Sequence, residues 1–361
     1  MIESRHAQYI KVDNLDLIIF SSNDYLGLSH HPDVLKAACE AGEKYGYGTG
    51  GAPGTSGTTA IHLQLAEAIA EFKHRDNGVI FPSGYAANVS LHQSLSNNDT
   101  IFFCDERNHP SAADGIKLAG CDKQIYRHLD FEQLDKLLQT DHHARKIVTT
   151  CSVFTIDGAI CPLEKLVQLK AKYGFILIID EAHATGCLGK TGRGLEEHCS
   201  LEKSADFIMG TFSKALGSQG GFITYAADKE DLLRKPLRSF EYSTSIATPT
   251  AAASLEALNI LCSRPELVFK MRSNINKIYN KLKASGLELN GPQRHIINVY
   301  FESQKKTTHV IDSLQRQGYF VVPISLDGRW GLRLTAMAVH TYNEIDDFCQ
   351  KLAEIETKYK H

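Results

Sequence analysis

The chain carries no excess of charge of either sign: 39 Lys and Arg stand against 42 Asp and Glu over 361 residues, a formal net charge of −3. That balance gives no electrostatic reason to look for a nucleic-acid or membrane-surface partner. Long hydrophobic runs are missing as well. Stretches such as Phe175–Ile179 fall far short of the roughly 20 apolar residues that a spanning helix needs. The opening residues, Met1 to Lys11, are polar, so no secretory leader is expected and the chain reads as cytoplasmic. The nine cysteines are odd in number and include no Cys-x-x-Cys pair. This argues against a zinc ribbon or a disulfide framework, and for reduced thiols without a metal site. Internal repeats and low-complexity segments are also lacking. What remains is an ordinary globular composition, 43% hydrophobic and 22% charged. A chain of this length buries a core without staples and suggests one large domain and one smaller domain.

Short runs rich in Val, Ile and Phe alternate with helix-period stretches. The runs are Val79–Phe81, Ile101–Phe103, Ile147–Val153, Phe175–Asp180, Phe207–Met209 and Phe222–Tyr225. Helices are expected between them near 57–73, 84–95, 131–139 and 162–173. Pro162 and Gly174 bracket the last in the usual start and stop positions. Apolar strands separated by helices indicate an α/β fold, a mostly parallel sheet with helices on both faces. From about 245 the texture changes to helices near 247–262, 266–285, 307–318 and 342–359, with a strand at Ile296–Phe301. The expected layout is an arm over 1–47, a large domain over 48–240 and a smaller α+β domain over 241–361.

Four segments could carry chemistry, and each has a bland alternative. The glycine-rich stretch from Gly48 to Gly57 breaks the dinucleotide fingerprint, because Pro53 stands at the third glycine position. Gly189-Lys190-Thr191 is not a phosphate-binding P-loop, since Ala184 replaces the upstream glycine. Taken alone, the stretch from Gly48 to Gly57 reads as a flexible surface loop rather than a site. In Phe81-Pro-Ser-Gly-Tyr85, Ser83 is a natural helix cap, and the free amides behind it could seat an anion. Asp180 closes a buried apolar strand, where open α/β sheets place ligands, and His183 follows three residues later. Such an acid is solvated, paired or in use. Lys214, in Thr211-Phe-Ser-Lys214, follows another apolar strand and reads either as a surface lysine or as a buried amine poised for covalent chemistry. Taken together with His109, these segments fall in the order that a pyridoxal phosphate site requires. That coenzyme needs an amine to hold it, an acid at its ring nitrogen and donors for its phosphate.

The chain resembles the α-oxoamine synthases among fold-type I pyridoxal phosphate transferases. The resemblance runs from Ser22-Asn-Asp-Tyr-Leu-Gly-Leu28 to Gly331-Leu-Arg-Leu-Thr335. It implies that Lys214 holds the cofactor covalently. Asp180 would pair with the ring nitrogen, His183 would bond the phenolic oxygen, and His109 would stack on the ring. Gly84, Tyr85, Thr211 and Ser213 would hold the phosphate, with Thr155 near the cofactor. Thr244, in Tyr242-Ser-Thr-Ser245, would reach the phosphate of a partner subunit, which implies a homodimer with shared sites. Asn23 and Tyr25 fall among the expected substrate contacts. The implied reaction is a decarboxylative Claisen condensation of an amino acid with an acyl-coenzyme A or acyl-carrier-protein thioester. L-Alanine with a pimeloyl thioester, as in biotin synthesis, is the first substrate pair; glycine or serine with other acyl groups, including enzymes that make amino-ketone signals, is the alternative.

Three positions depart from that family's pattern. Ala52-Pro53 stands where an arginine is usual, and Cys151-Ser152 where an acid precedes the Val-Phe segment. Val321 occupies the place of the arginine that clamps the substrate carboxylate. Valine cannot make a bidentate clamp, so Arg329 in the same loop is the expected substitute. A fold-type I aminotransferase or lyase is a competing class. It would share Asp180 and Lys214 but would not be expected to match Asn23-Asp-Tyr-Leu-Gly27 or Tyr242-Ser-Thr-Ser245. A non-catalytic subunit is disfavoured by Lys214.

Overall fold

The structure, a computed structural model, describes residues 1–291 and 294–359. It divides into two compact units. The first holds Met1–His31, Thr155–Ala159 and the described residues from Pro265 on; the second holds Pro32–Phe154 and Ile160–Arg264.

The second unit is built on a seven-stranded sheet. Its strands run in the order Asn77–Phe81, Gly221–Tyr225, Phe207–Thr211, Ile176–Asp180, Arg145–Cys151, Thr100–Asp105, Asp122–Tyr126. Gly221–Tyr225 is antiparallel to both neighbours, and the other pairings are parallel. Thr100–Asp105 and Phe207–Thr211 are buried at every position, as strands covered on both faces must be. The expected α/β fold with a mostly parallel sheet is therefore present. Its consequence for function is geometric: Phe81, Asp105, Asp180 and Thr211 all end strands at the same edge.

Local chemistry sets the helices that follow these ends. Ser83 caps Gly84–Leu95 by accepting the Ala86 N–H at 3.1 Å. Pro110 opens Pro110–Ala119, and Gly120 closes it at φ 70°. Ala60–Phe72 starts with a box in which Thr59 and His62 satisfy each other's backbone amides.

The first unit holds two small sheets. One runs Ile2–His6, Tyr9–Val12, Leu15–Ile19, Tyr319–Phe320; the other runs Glu288–Leu289, Ile296–Phe301, Arg329–Thr335, Val322–Leu326. Helices Glu266–Ala284, Gln304–Arg316 and Tyr342–Tyr359 belong to it, and its core includes Phe20, Ile275, Val299, Leu332 and Phe348.

These units cut the chain at places other than 47 and 240. Helix Thr248–Ser263 packs on Pro32–Tyr45 and on Ala60–Phe72, so it belongs with the large sheet. Thr155–Ala159 joins the first unit because Asn298 Nδ2 donates to the Ile156 carbonyl at 2.9 Å and Arg294 donates to that of Asp157 at 2.7 Å. The helix expected at 307–318 begins earlier, at Gln304, since Ser303 caps it by accepting the Lys306 N–H. Among the described residues, no helix is long and apolar enough to cross a membrane.

Candidate active site

A cavity of about 220 Å³ opens at the carboxyl edge of the large sheet, lined by Gly84, Tyr85, His109, Asp180, Thr211 and Lys214 together with Ser83, Ser111, Ala182, Met209 and Ser213. The sheet explains why these residues meet. Gly84 and Tyr85 follow the strand ending at Phe81, and His109 follows the strand ending at Asp105. Asp180 is itself a strand end, and Lys214 follows the strand ending at Thr211.

One wall is an anion seat. The amides of Gly84 and Tyr85 lie in the first helical turn, where no intrahelical acceptor exists. Ser83 is therefore both a cap and the edge of the seat. A Cβ on Gly84 would stand 3.1 Å from Thr211 Cβ, so only glycine lets the helix start come this close. Thr211 cannot yield, because its hydroxyl donates to the Gly220 carbonyl at 2.6 Å. Ser213 donates to Thr211 Oγ1 through its backbone N–H at 3.1 Å, and its hydroxyl lies 2.8 Å from the same oxygen.

The opposite chemistry is supplied by Asp180. Its Oδ1 accepts the Ala182 N–H at 2.9 Å, and its Oδ2 accepts from Asn88 Nδ2 at 3.2 Å. Burial pushes its carboxyl above the usual carboxylate range, while the Lys214 charge opposes that rise. A buried acid so placed calls for a further cation. His109 is exposed, and its Nδ1 accepts the Ser111 N–H at 3.3 Å, which leaves the ring face open at the cavity. The Tyr85 ring meets it edge-on at 6.5 Å, and the Tyr85 hydroxyl is held by Asp114. Among the described residues, no cluster of three His, Cys, Asp or Glu could hold a metal ion.

These groups fit pyridoxal phosphate. The amides and hydroxyls match its phosphate. The buried carboxylate in want of a cation matches its protonated ring nitrogen, and the lysine matches its aldehyde.

Other expected site residues lie elsewhere. His183 is buried in the turn after Asp180 but does not line the cavity. Thr244 is exposed beyond helix Arg238–Glu241 and does not line it either. Asn23, Tyr25, Thr155 and Arg329 belong to the first unit. There, the Tyr25 hydroxyl donates to Asn23 Oδ1 at 3.3 Å.

Arg329, the expected clamp, is half-exposed, ion-paired with Glu288 and 3.6 Å over the Tyr300 ring. Arg333 lies with Thr155 and Asn23. It is buried, with Nε donating to the Thr155 carbonyl at 2.9 Å and an NH2 group donating to Asn23 Oδ1 at 3.2 Å. The signal was available: a charged residue between Leu332 and Leu334 in a buried strand.

The cavity and its sheet define the pyridoxal phosphate transferases of fold-type I. The chain belongs to the aminotransferase class I and II family, whose profile matches residues 16–352. It is 35% identical over 350 residues to an 8-amino-7-oxononanoate synthase 1 of Bacillus velezensis, covering 96% of this chain and 90% of that one. It is 33% identical over 363 residues to the mitochondrial 2-amino-3-ketobutyrate coenzyme A ligase of Homo sapiens, covering 98% and 87%. A solved serine palmitoyltransferase of S. paucimobilis, with a bound PLP–myriocin aldimine, superposes with a TM-score of 0.95 at 27% identity, covering 99% and 92%. All three are α-oxoamine synthases, and the chain is an enzyme of that branch, with pyridoxal phosphate as its cofactor.

Proposed function

We propose that the protein condenses an amino acid with an acyl thioester, with loss of carbon dioxide, to give an α-amino ketone. L-Alanine and a pimeloyl thioester of coenzyme A or a carrier protein are the first substrate pair. The observation that carries the reading is one cavity holding Lys214, Asp180 and the Gly84–Tyr85 seat together. Similarity to relatives named for three different products leaves glycine with a short acyl group, or serine with a long one, as the alternative.

When bound, pyridoxal phosphate supplies a sink for negative charge developing on the substrate's α-carbon. The rest is done by the chain. Lys214 Nζ would hold the coenzyme and is the base suited to accept and return the α-proton. Asp180 would pair with the ring nitrogen and favour its protonated form. His109 would cover one ring face and keep water from it. The amides of Gly84 and Tyr85 and the Ser213 hydroxyl would bind the phosphate, with Thr211, whose own proton goes to the Gly220 carbonyl, holding Ser213 in place. Arg333 is the group suited to the amino-acid carboxylate, since it donates to the Thr155 carbonyl and to the Asn23 amide oxygen, neither of which carries charge. Asn23 would orient that guanidinium. Thr244 would serve the phosphate of a partner in a cytoplasmic homodimer.

The test is a product assay. The coenzyme-loaded protein is mixed with alanine, glycine or serine and with pimeloyl, acetyl or palmitoyl coenzyme A, and free thiol and carbon dioxide are measured. Equal release of both with one pair assigns the substrate. Release with none of the pairs rejects the reading.

A further inference from the structure

Asn88 has no part in the chemistry described above, yet it is 1% exposed one turn into helix Gly84–Leu95. Its amide nitrogen lies 2.9 Å from Ser111 Oγ and 3.2 Å from Asp180 Oδ2. An ionised carboxylate only accepts, so the nitrogen must face Asp180; the flipped amide would set oxygen against oxygen. That orientation leaves Asn88 Oδ1 without a partner among the described residues. The amide thus forgoes one acceptor contact and commits both hydrogens to Asp180 and Ser111.

Ser111, also 1% exposed, carries the link onward. Its Oγ is 2.7 Å from His109 Nδ1. With its oxygen occupied by the Asn88 N–H, the hydroxyl turns its one proton to the imidazole. The Ser111 backbone N–H is aimed at the same nitrogen. Nδ1 is therefore an acceptor, and the neutral ring carries its proton on Nε2.

Packing alone does not call for this bridge. Gly115 already lets the two helices touch, since a Cβ there would stand 3.0 Å from both His92 Cβ and Val89 Cα. A buried polar chain ending on an acid and on an imidazole that both line the cavity is placed to orient those two groups. We propose that Asn88 and Ser111 are positioning residues that tie Asp180 to His109, fixing the carboxylate and the plane and tautomer of the imidazole for the coenzyme ring. The inference rests on reading the cavity as a pyridoxal phosphate site.

The experiment measures the pyridoxal phosphate dissociation constant by absorbance titration between pH 5 and 9. It compares the wild type with Asn88→Ala, Ser111→Ala, Ser111→Thr and the Asn88→Ala/Ser111→Ala pair. Removing the Asn88 donor makes Asp180 harder to ionise. Asn88→Ala should weaken binding about tenfold and move the acid limb of the binding curve up by about one pH unit. Ser111→Ala should weaken binding severalfold, and Ser111→Thr, which keeps the hydroxyl, should bind as the wild type does. The double variant should be little worse than Asn88→Ala, because the two act as one chain. Wild-type affinity at every pH in both alanine variants overturns the proposal, as does a double variant whose losses multiply. If Asn88→Ala does not fold, the Ser111 pair decides: a weakened alanine beside an unaffected threonine supports the bridge, and two wild-type curves refute it. A wild type that binds no pyridoxal phosphate rejects the cofactor reading instead, which separates the two failures.

Discussion

Lys73 Nζ stands 2.5 Å from Glu181 Oε2, with each side chain only 1% exposed. Lys73 also donates to the Arg193 carbonyl, and the second Glu181 oxygen accepts the Leu195 N–H at 2.7 Å. The pair therefore ties the end of helix Ala60–Phe72 to the residue directly after Asp180 and to the loop that follows. A buried pair is worth little against a well-packed apolar substitute, but deleting one member strands the other charge. Lys73→Met and Glu181→Gln should each destabilise the apo-protein by about 3–5 kcal/mol. Gly194→Ala should do harm by another route, since φ there is +119° and a Cβ would strike the Glu181 carboxylate. Urea unfolding checks all three. Losses below about 1 kcal/mol, the size of an exposed pair, would show that the charges are not isolated from water.

Acid should unfold the protein partly through His92. This ring is fully buried beside Asn88 and Thr149, and burial lowers its pKa from 6.5 to about 4. The unfolded chain then takes up the proton first as pH falls. The stability this neutral ring contributes is complete above pH 6.5 and is lost between there and about pH 4. The loss from this group is roughly 3 kcal/mol at the low end of that window. His92→Gln should flatten that part of the stability-against-pH curve, as read from urea midpoints at pH 7 and pH 4.5. Parallel curves for the two proteins would contradict the assignment.

Lys214 and Asp180 should fail in different ways. Lys214→Ala removes the covalent anchor, so borohydride should no longer fix the coenzyme to the chain in a peptide map. Asp180→Asn keeps the anchor but not the charge. It should retain coenzyme on Lys214 while turnover falls roughly 10²–10³-fold, the scale of losing one placed electrostatic group. Full turnover in Asp180→Asn would remove the ring-nitrogen role.

The two arginines give a direct contrast. Arg333→Lys keeps the charge but loses the planar fork, and it should weaken amino-acid binding about tenfold or more. Arg329→Ala, which gives up a partly exposed pair with Glu288, should change that affinity less than about twofold. Isothermal titration of the coenzyme-loaded protein with the substrate amino acid measures both. The opposite order would return the clamp to Arg329.

The sequence made the large sheet legible because strands buried on both faces are written as apolar runs. Helix 84–95 was bounded correctly, and 162–173 to within a residue, because Ser83 and Gly174 punctuate them. The edge strand Asp122–Tyr126 escaped notice, since only Tyr126 is buried and its residues are largely polar. Ile2–His6, exposed throughout, had no apolar alternation to betray it. Helix Pro110–Ala119 was missed although Pro110 and Gly120 mark both its ends. Within the site, the strand-end residues stood out because an acid or a lysine beside a buried strand is chemically conspicuous. Asn88 and Ser111 did not, because a polar residue in a helix looks solvated until a partner from another element reaches it. Arg329 drew attention by its loop position, and its contacts with Glu288 and Tyr300 come from elements that its sequence neighbourhood does not reveal.

The proposed roles fall into separate sets of residues, which has an evolutionary corollary. Lys214, Asp180 and His109 are built into one compact unit, while Arg333, Asn23 and Tyr25 are built into the other. If the second set selects the substrate as proposed, mutations there would retune which metabolite is accepted without touching the Asn88 and Ala182 bonds to Asp180. A lineage organised in this way can diversify its products while inheriting its reaction unchanged.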